Sequence, residues 1–97
     1  MSDIQARCAA APDGWRCRVT VRDEGESTDH EVTVSSDDAT SLAAATDAGD
    51  VERLMYETFD FLLEREPKES ILRSFDITVV SRYFPEYEHE IRSRLAP

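Results

Sequence analysis

The chain has 97 residues, enough for one domain and too few to give a second domain its own core. Apolar residues make up 40% and charged residues 33%, with 3 Gly and 4 Pro, which excludes a disordered or low-complexity chain. The net charge of −10 disfavours phosphate backbones and anionic membranes as partners.

The acid is unevenly placed. Residues 36–66 carry nine acidic and two basic side chains, whereas residues 67–97 carry five of each. A solvated acidic face is the plain reading of the middle stretch, and a decoy for a basic surface is the functional one. Ten of the eleven basic residues are Arg, beside ten Ala and ten Asp, a bias shared by high-GC genomes and salt-adapted cytosols. There is no N-terminal apolar h-region and no 18-residue apolar run, so the expected location is cytoplasmic, away from the membrane. Two cysteines in such a chain are expected as reduced thiols rather than a staple.

In chain order, Ile4, Ala6 and Cys8 alternate with Gln5, Arg7 and Ala9, predicting a short strand over 3–9. Pro12-Asp13-Gly14 follows as a turn, because Pro presets φ, Asp bonds locally and Gly accepts positive φ. Trp15, Cys17, Val19 and Val21 then alternate with Arg16, Arg18, Thr20 and Arg22 in the clearest strand. A second turn is expected over Asp23–Asp29, and His30, Val32 and Val34 mark a third strand.

These strands form a three-stranded antiparallel β-meander with one apolar face and one face carrying Arg16, Arg18, Arg22 and Glu31. A two-residue loop at Pro12-Asp13 pairs Cys8 with Cys17. A bulge at Gly14 would slip the pairing and set Arg7 against Val19. The first register is favoured, because a one-residue slip turns the whole apolar set outward.

Ser35 or Ser36 opens a helix, with Asp37 and Asp38 in its first turn and a thin apolar face of Ala39, Leu42, Ala43 and Thr46. Asp50 is the expected cap of a central helix over 51–65, where Val51, Leu54, Met55, Thr58, Phe59 and Leu62 keep helical spacing. Phe61 and Leu63 widen that stripe, so this helix should be covered on two sides. Pro67 stops it and starts a short helix over 67–75 with Ile71, Leu72 and Phe75 inward. Asp76 caps another short helix, and 86–95 form a last one with Tyr87, Ile91 and Leu95 in a stripe. The expected fold is α+β, a single domain over 1–97 in which the meander is followed by, and packed on, a block of four to five helices.

The segment FLLEREPKESILRSFDI (61–77) followed by YFPEYE (83–88) resembles a block shared by small uncharacterised bacterial and archaeal proteins, in which a β-meander precedes such a helical block. The resemblance implies that fold arrangement and supplies no catalytic or binding residues.

Four chemistries compete for this chain. Cys8, Cys17, His30 and His89 are ligand types, but the cysteines are nine apart and His89 lies in another element, so no metal site or cofactor is expected. Residues 67–84 have the rough spacing of a DNA-binding helix-turn-helix, yet the would-be recognition helix meets Pro85 and continues into Glu86, Glu88 and Glu90. Arg73 and Arg82 alone neutralise few phosphates there.

Catalysis lacks support, because Glu64, Glu66 and Glu69 read as exposed helix ends and no phosphate loop or nucleophile elbow exists. What remains is a small cytosolic non-catalytic protein-interaction or structural module. Tyr83, Phe84 and Tyr87 cluster around a proline, with Arg82, Glu86 and Arg92 as a polar rim. The expected partner surface is therefore Arg82, Tyr83, Phe84, Glu86 and Tyr87, with the rival possibility that these rings close the core against Phe59 and Trp15. A protein partner or self-association, for instance through the edge of the first strand, is expected rather than nucleic acid or a small molecule.

Overall fold

The computed structural model describes residues 2–96. Three antiparallel strands, β1 (Asp3–Ala11), β2 (Gly14–Asp23) and β3 (Glu26–Ser35), form the meander. Cys8 pairs with Cys17 and Ala6 with Val19, the register that keeps the apolar set on one face. Ile4, Cys17, Val19, Val21, Val32 and Val34 are buried on that face.

The second turn is tighter than expected. The segment 23–29 is no open loop: Glu24 and Gly25 alone connect the strands, with φ of 52° and 81°. Two successive positive φ values match the twist of the flanking strands, so β3 begins at Glu26, four residues before His30. Polar Ser27 and Asp29 hid this extension because they lie on the solvent face, where alternation carries no apolar signal.

Helix α1 (Ser36–Ala43) starts where Ser35 Oγ accepts the Asp38 N–H at 3.0 Å. Helix α2 (Ala48–Leu63) starts three residues earlier than expected, because Asp47 rather than Asp50 is the cap and accepts the Asp50 N–H at 2.9 Å. Asp50 turns back instead to accept the Thr46 N–H. Val51, Leu54, Met55, Thr58, Phe59, Phe61 and Leu62 are all buried along α2. One side of the helix lies against β1 and β2, and the other against α4 (Tyr87–Leu95).

The stretch after α2 differs most from expectation. In place of a helix over 67–75, only a single 3₁₀ turn forms at Lys68–Ser70, followed by a fourth strand, β4 (Ser74–Asp76). β4 runs parallel to β3, so the sheet has order β1-β2-β3-β4 and is mixed. The edge of β3 decides this: its Glu31 N–H donates to Arg73 O at 2.7 Å, and its Thr33 O accepts from Ile77 N–H at 2.9 Å. A helix at 67–75 would leave those groups without these partners.

Helix α3 (Thr78–Tyr83) follows, and Asp76 does cap its start, accepting the Thr78 N–H and hydroxyl. Among the described residues the helices are these four and the 3₁₀ turn, consistent with an α+β domain. None is long and apolar enough to cross a membrane.

Candidate functional site

The helices cover one face of the sheet, so the molecule presents two surfaces of interest: an incompletely filled end of the core, and the bare outer face. The first lies where α2 ends. Between the end of α2, the 3₁₀ turn, β4 and α3 there is an apolar groove of about 390 Å³, floored by Leu62, Ile71, Phe75 and Val80. Leu72 and Tyr83 stand at its rim, 48% and 68% exposed, and they are two of the three exposed large apolar residues among the described ones.

The sequence explains the gap. Pro67 has no N–H with which to continue a helix and its own backbone is extended, with ψ of 158°, and the chain then leaves α2 to reach the edge of β3. α3 has only six residues and buries Val80, so neither segment fills the space under β4. Glu66 is the carboxylate lining the groove. It is half-buried, has no hydrogen bond or ion pair through its side chain among the described residues, and burial pushes its carboxyl above the usual range.

The anticipated partner residues separate into three groups. Tyr83 and Phe84 line the groove. Tyr87 does not belong to a surface at all: it is fully buried, stacks edge-on against Phe61 at 5.3 Å, and its hydroxyl bonds Thr58 Oγ1 at 2.7 Å. Burial pushes its phenol far above the ordinary tyrosine range despite that bond. Its place in a partner surface is therefore corrected, since position i of α4 points at α2; the ring closes the core against Phe61 rather than against Phe59 and Trp15.

Glu86 is tied to Arg65 at 3.4 Å, and the Arg65 guanidinium sits 3.5 Å above the Phe61 ring. Arg92 faces the other way, donating to Ser41 O and Oγ at 3.1 Å and so fastening α4 to α1. Arg82 is exposed and makes no ion pair among the described residues.

Residues 67–84 contain no helix pair, because β4 occupies the position of the first helix and α3 is a single short one. That removes the geometry of the helix-turn-helix alternative. Cys8, Cys17, His30 and His89 form no metal-binding cluster among the described residues. Cys8 and Cys17 are joined by a disulfide, which corrects the expectation of reduced thiols. Their facing positions in a closely spaced, non-hydrogen-bonded pair bring the Cα atoms to 4.1 Å, and this adjacency is what lets them join.

His30 is buried with both ring nitrogens engaged. Nδ1 donates to Leu72 O at 2.8 Å, since a carbonyl can only accept, and Nε2 accepts from the Thr28 hydroxyl at 2.8 Å. This histidine is a tie between β3 and the segment leading into β4. The β1 edge is also partly closed, because the Cys8 N–H that points away from β2 is taken by Glu52 of α2 at 2.9 Å.

Sequence reasoning missed Leu72 and Glu66 as site residues, having placed Leu72 inward and Glu66 at an exposed helix end. No protein-family model, curated protein or solved structure matches the chain.

Proposed function

We propose that this protein is a non-catalytic interaction module that seats a large apolar side chain of a protein partner in the groove between α2, β4 and α3. A basic group of that partner would lie beside Glu66. The carrying observation is that Leu72 and Tyr83 stand exposed across one apolar groove whose lining carboxylate, Glu66, makes no ion pair among the described residues. A volume of about 390 Å³ is within the range of built ligand sites, roughly 300–1,000 Å³. Anchor residues seated in such pockets dominate interface energetics, and a cation beside a half-buried unpaired carboxylate adds a charge-assisted bond. Tyr83 and Glu66 are the titratable groups in the lining.

A cytoplasmic setting belongs to the same proposal, with one condition attached. The Cys8–Cys17 bond would there meet a reducing thiol pool. Thiol trapping of the protein in intact cells, before lysis, reports whether the bond persists.

The groove is tested with synthetic peptides carrying one Trp or Leu anchor and an Arg one helical turn away, followed by calorimetry. Leu72→Ser and Tyr83→Ser together should weaken binding at least tenfold while changing stability by no more than about 0.5 kcal/mol. Glu66→Gln should weaken the Arg-bearing peptides and leave those with Arg replaced by norleucine unaffected. Binding of the Arg peptides should also weaken as pH falls through the raised Glu66 pKa, because the protonated carboxyl no longer attracts the cation. Equal binding by wild type and the double variant would sink the proposal. A concentration-dependent dimer abolished by Tyr83→Ser would identify a second copy as the occupant instead.

A further inference from the structure

The outer face of the sheet carries a charge pattern that the rest of the chain does not prepare for. Acids outnumber bases 21 to 11 in the chain as a whole. On the solvent side of β1 and β2, however, Arg7, Arg16, Arg18 and Arg22 meet one carboxylate, Asp3. Arg7 and Arg18 are direct cross-strand partners, an arrangement of like charges that weakens a sheet. Neither makes an ion pair among the described residues.

The nearby acids are turned elsewhere. Glu31 stands opposite Arg18 in the register, yet its carboxylate reaches Arg16 at 3.6 Å. Asp29 accepts the Thr20 hydroxyl at 2.7 Å and Asp76 the Thr33 hydroxyl at 2.7 Å. Ala9, opposite Arg16, is too small to fill its place between the long side chains. A depression of about 260 Å³ results, walled by Arg7, Arg16 and Arg18 and bordered by Glu31.

We propose that this outer face of β1 and β2 docks an acidic segment of a partner protein, whose carboxylates engage Arg7, Arg16 and Arg18 over Ala9. Guanidinium forks bind carboxylates bidentately, and three of them around one depression select for clustered acids. The occupant has to be compact. At physiological salt a charge is screened beyond about 8 Å, so a short acidic segment confined to the arginines escapes the repulsion of the remaining surface. A nucleic-acid duplex extends past the face and meets Asp29, Glu31 and Asp76 on the neighbouring strands. A second copy brings its own charge of −10 with it. This surface is independent of the groove, because it lies on the opposite side of the sheet from the helices.

The test is fluorescence anisotropy of the full chain with a labelled ten-residue peptide alternating Glu and Ser, beside its Gln counterpart. The Glu peptide should bind, weaken with rising salt, and lose at least tenfold in affinity with R7E/R18E and several-fold with R7Q/R18Q. Arg73→Glu and Leu72→Ser, off this face, should leave the affinity unchanged. Thermal unfolding of R7E/R18E and R7Q/R18Q checks that the fold survives. Equal binding of the Gln peptide, or undiminished binding by both folded double variants, overturns the proposal. Tighter salt-dependent binding of a 12-base-pair duplex lost on the same substitutions overturns it in favour of nucleic acid, and a self-associated species lost on them does so in favour of a second copy.

Discussion

The meander and the stretch from Glu64 to Glu86 are built under opposite constraints. Each meander strand has two neighbours or an edge partly closed by a helix, and Cys17, Val19, Val21, His30, Val32 and Val34 face inward with almost no exposure. The later stretch has no long element of its own: one 3₁₀ turn, three strand residues and six helical residues are held against the body by individual bonds. It buries Ile71, Ile77 and Val80, but Phe75 and Phe84 are only partly covered, and Leu72 and Tyr83 reach solvent. The contrast teaches that a small core is sealed where long periodic elements face each other and stays open where the chain must cross from one layer to another. The groove is the consequence of that crossing.

The largest change should come from Phe59→Ala, because this ring touches both regions. It is fully buried, 5.3 Å from the His30 ring and 6.2 Å from Phe75. Truncation should cost about 3–5 kcal/mol, read as a lower midpoint in urea unfolding. If the loss were instead below about 1 kcal/mol, the two regions would not share one core.

A smaller effect is expected from joint Cys8→Ala and Cys17→Ala. The bond closes a short hairpin, so its removal should cost about 2–3 kcal/mol, measured by thermal unfolding against the oxidised wild type. The strand order should survive, since β1 also bonds β2 along its whole length and receives Glu52 from α2. Retained far-UV circular dichroism with a lowered Tm is the expected result. Loss of the sheet signal would mean that the bond, rather than the alternation, sets the register.

The smallest effect separates the regions by pH. Burial raises the Asp76 carboxyl, but the Thr33 hydroxyl and the Thr78 hydroxyl and N–H together more than offset this and hold it below its ordinary value. A carboxyl depressed in the fold contributes stability above its unfolded pKa and loses it as pH falls through the depressed folded value. Acid unfolding below about pH 4 should therefore soften β4 and α3 before the meander. Thr33→Val should flatten this acid dependence. Hydrogen exchange at pH 3 that is uniform across the two regions would count against it.

Legibility in the sequence followed the same divide. Trp15, Cys17, Val19 and Val21 alternate so strictly that strand, face and register could be read directly, and the 3.6-residue spacing from Val51 to Leu62 located α2. The helical spacing of Tyr87 and Ile91 located α4. Of the candidate groove, Tyr83 and Phe84 were legible as aromatics crowded around Pro85, whereas Leu72 and Glu66 were not.

The sequence by itself therefore determined whatever depends on period and on local bonding. It determined the three meander strands and the pairing of Cys8 with Cys17, and equally the caps at Ser35 and Asp76 and the apolar stripe of α2. Tertiary structure alone decided that Ser74–Asp76 would be a strand, because a three-residue segment carries no periodicity and its hydrogen-bond partners lie more than forty positions away on β3. It alone decided, too, which rings of one short aromatic run would be core and which would stand at an open groove. Burial of Tyr87 and exposure of Tyr83 follow from the packing of α4 on α2 and α1, which α3 does not share, and that packing is set by contacts between layers rather than by neighbours in the chain.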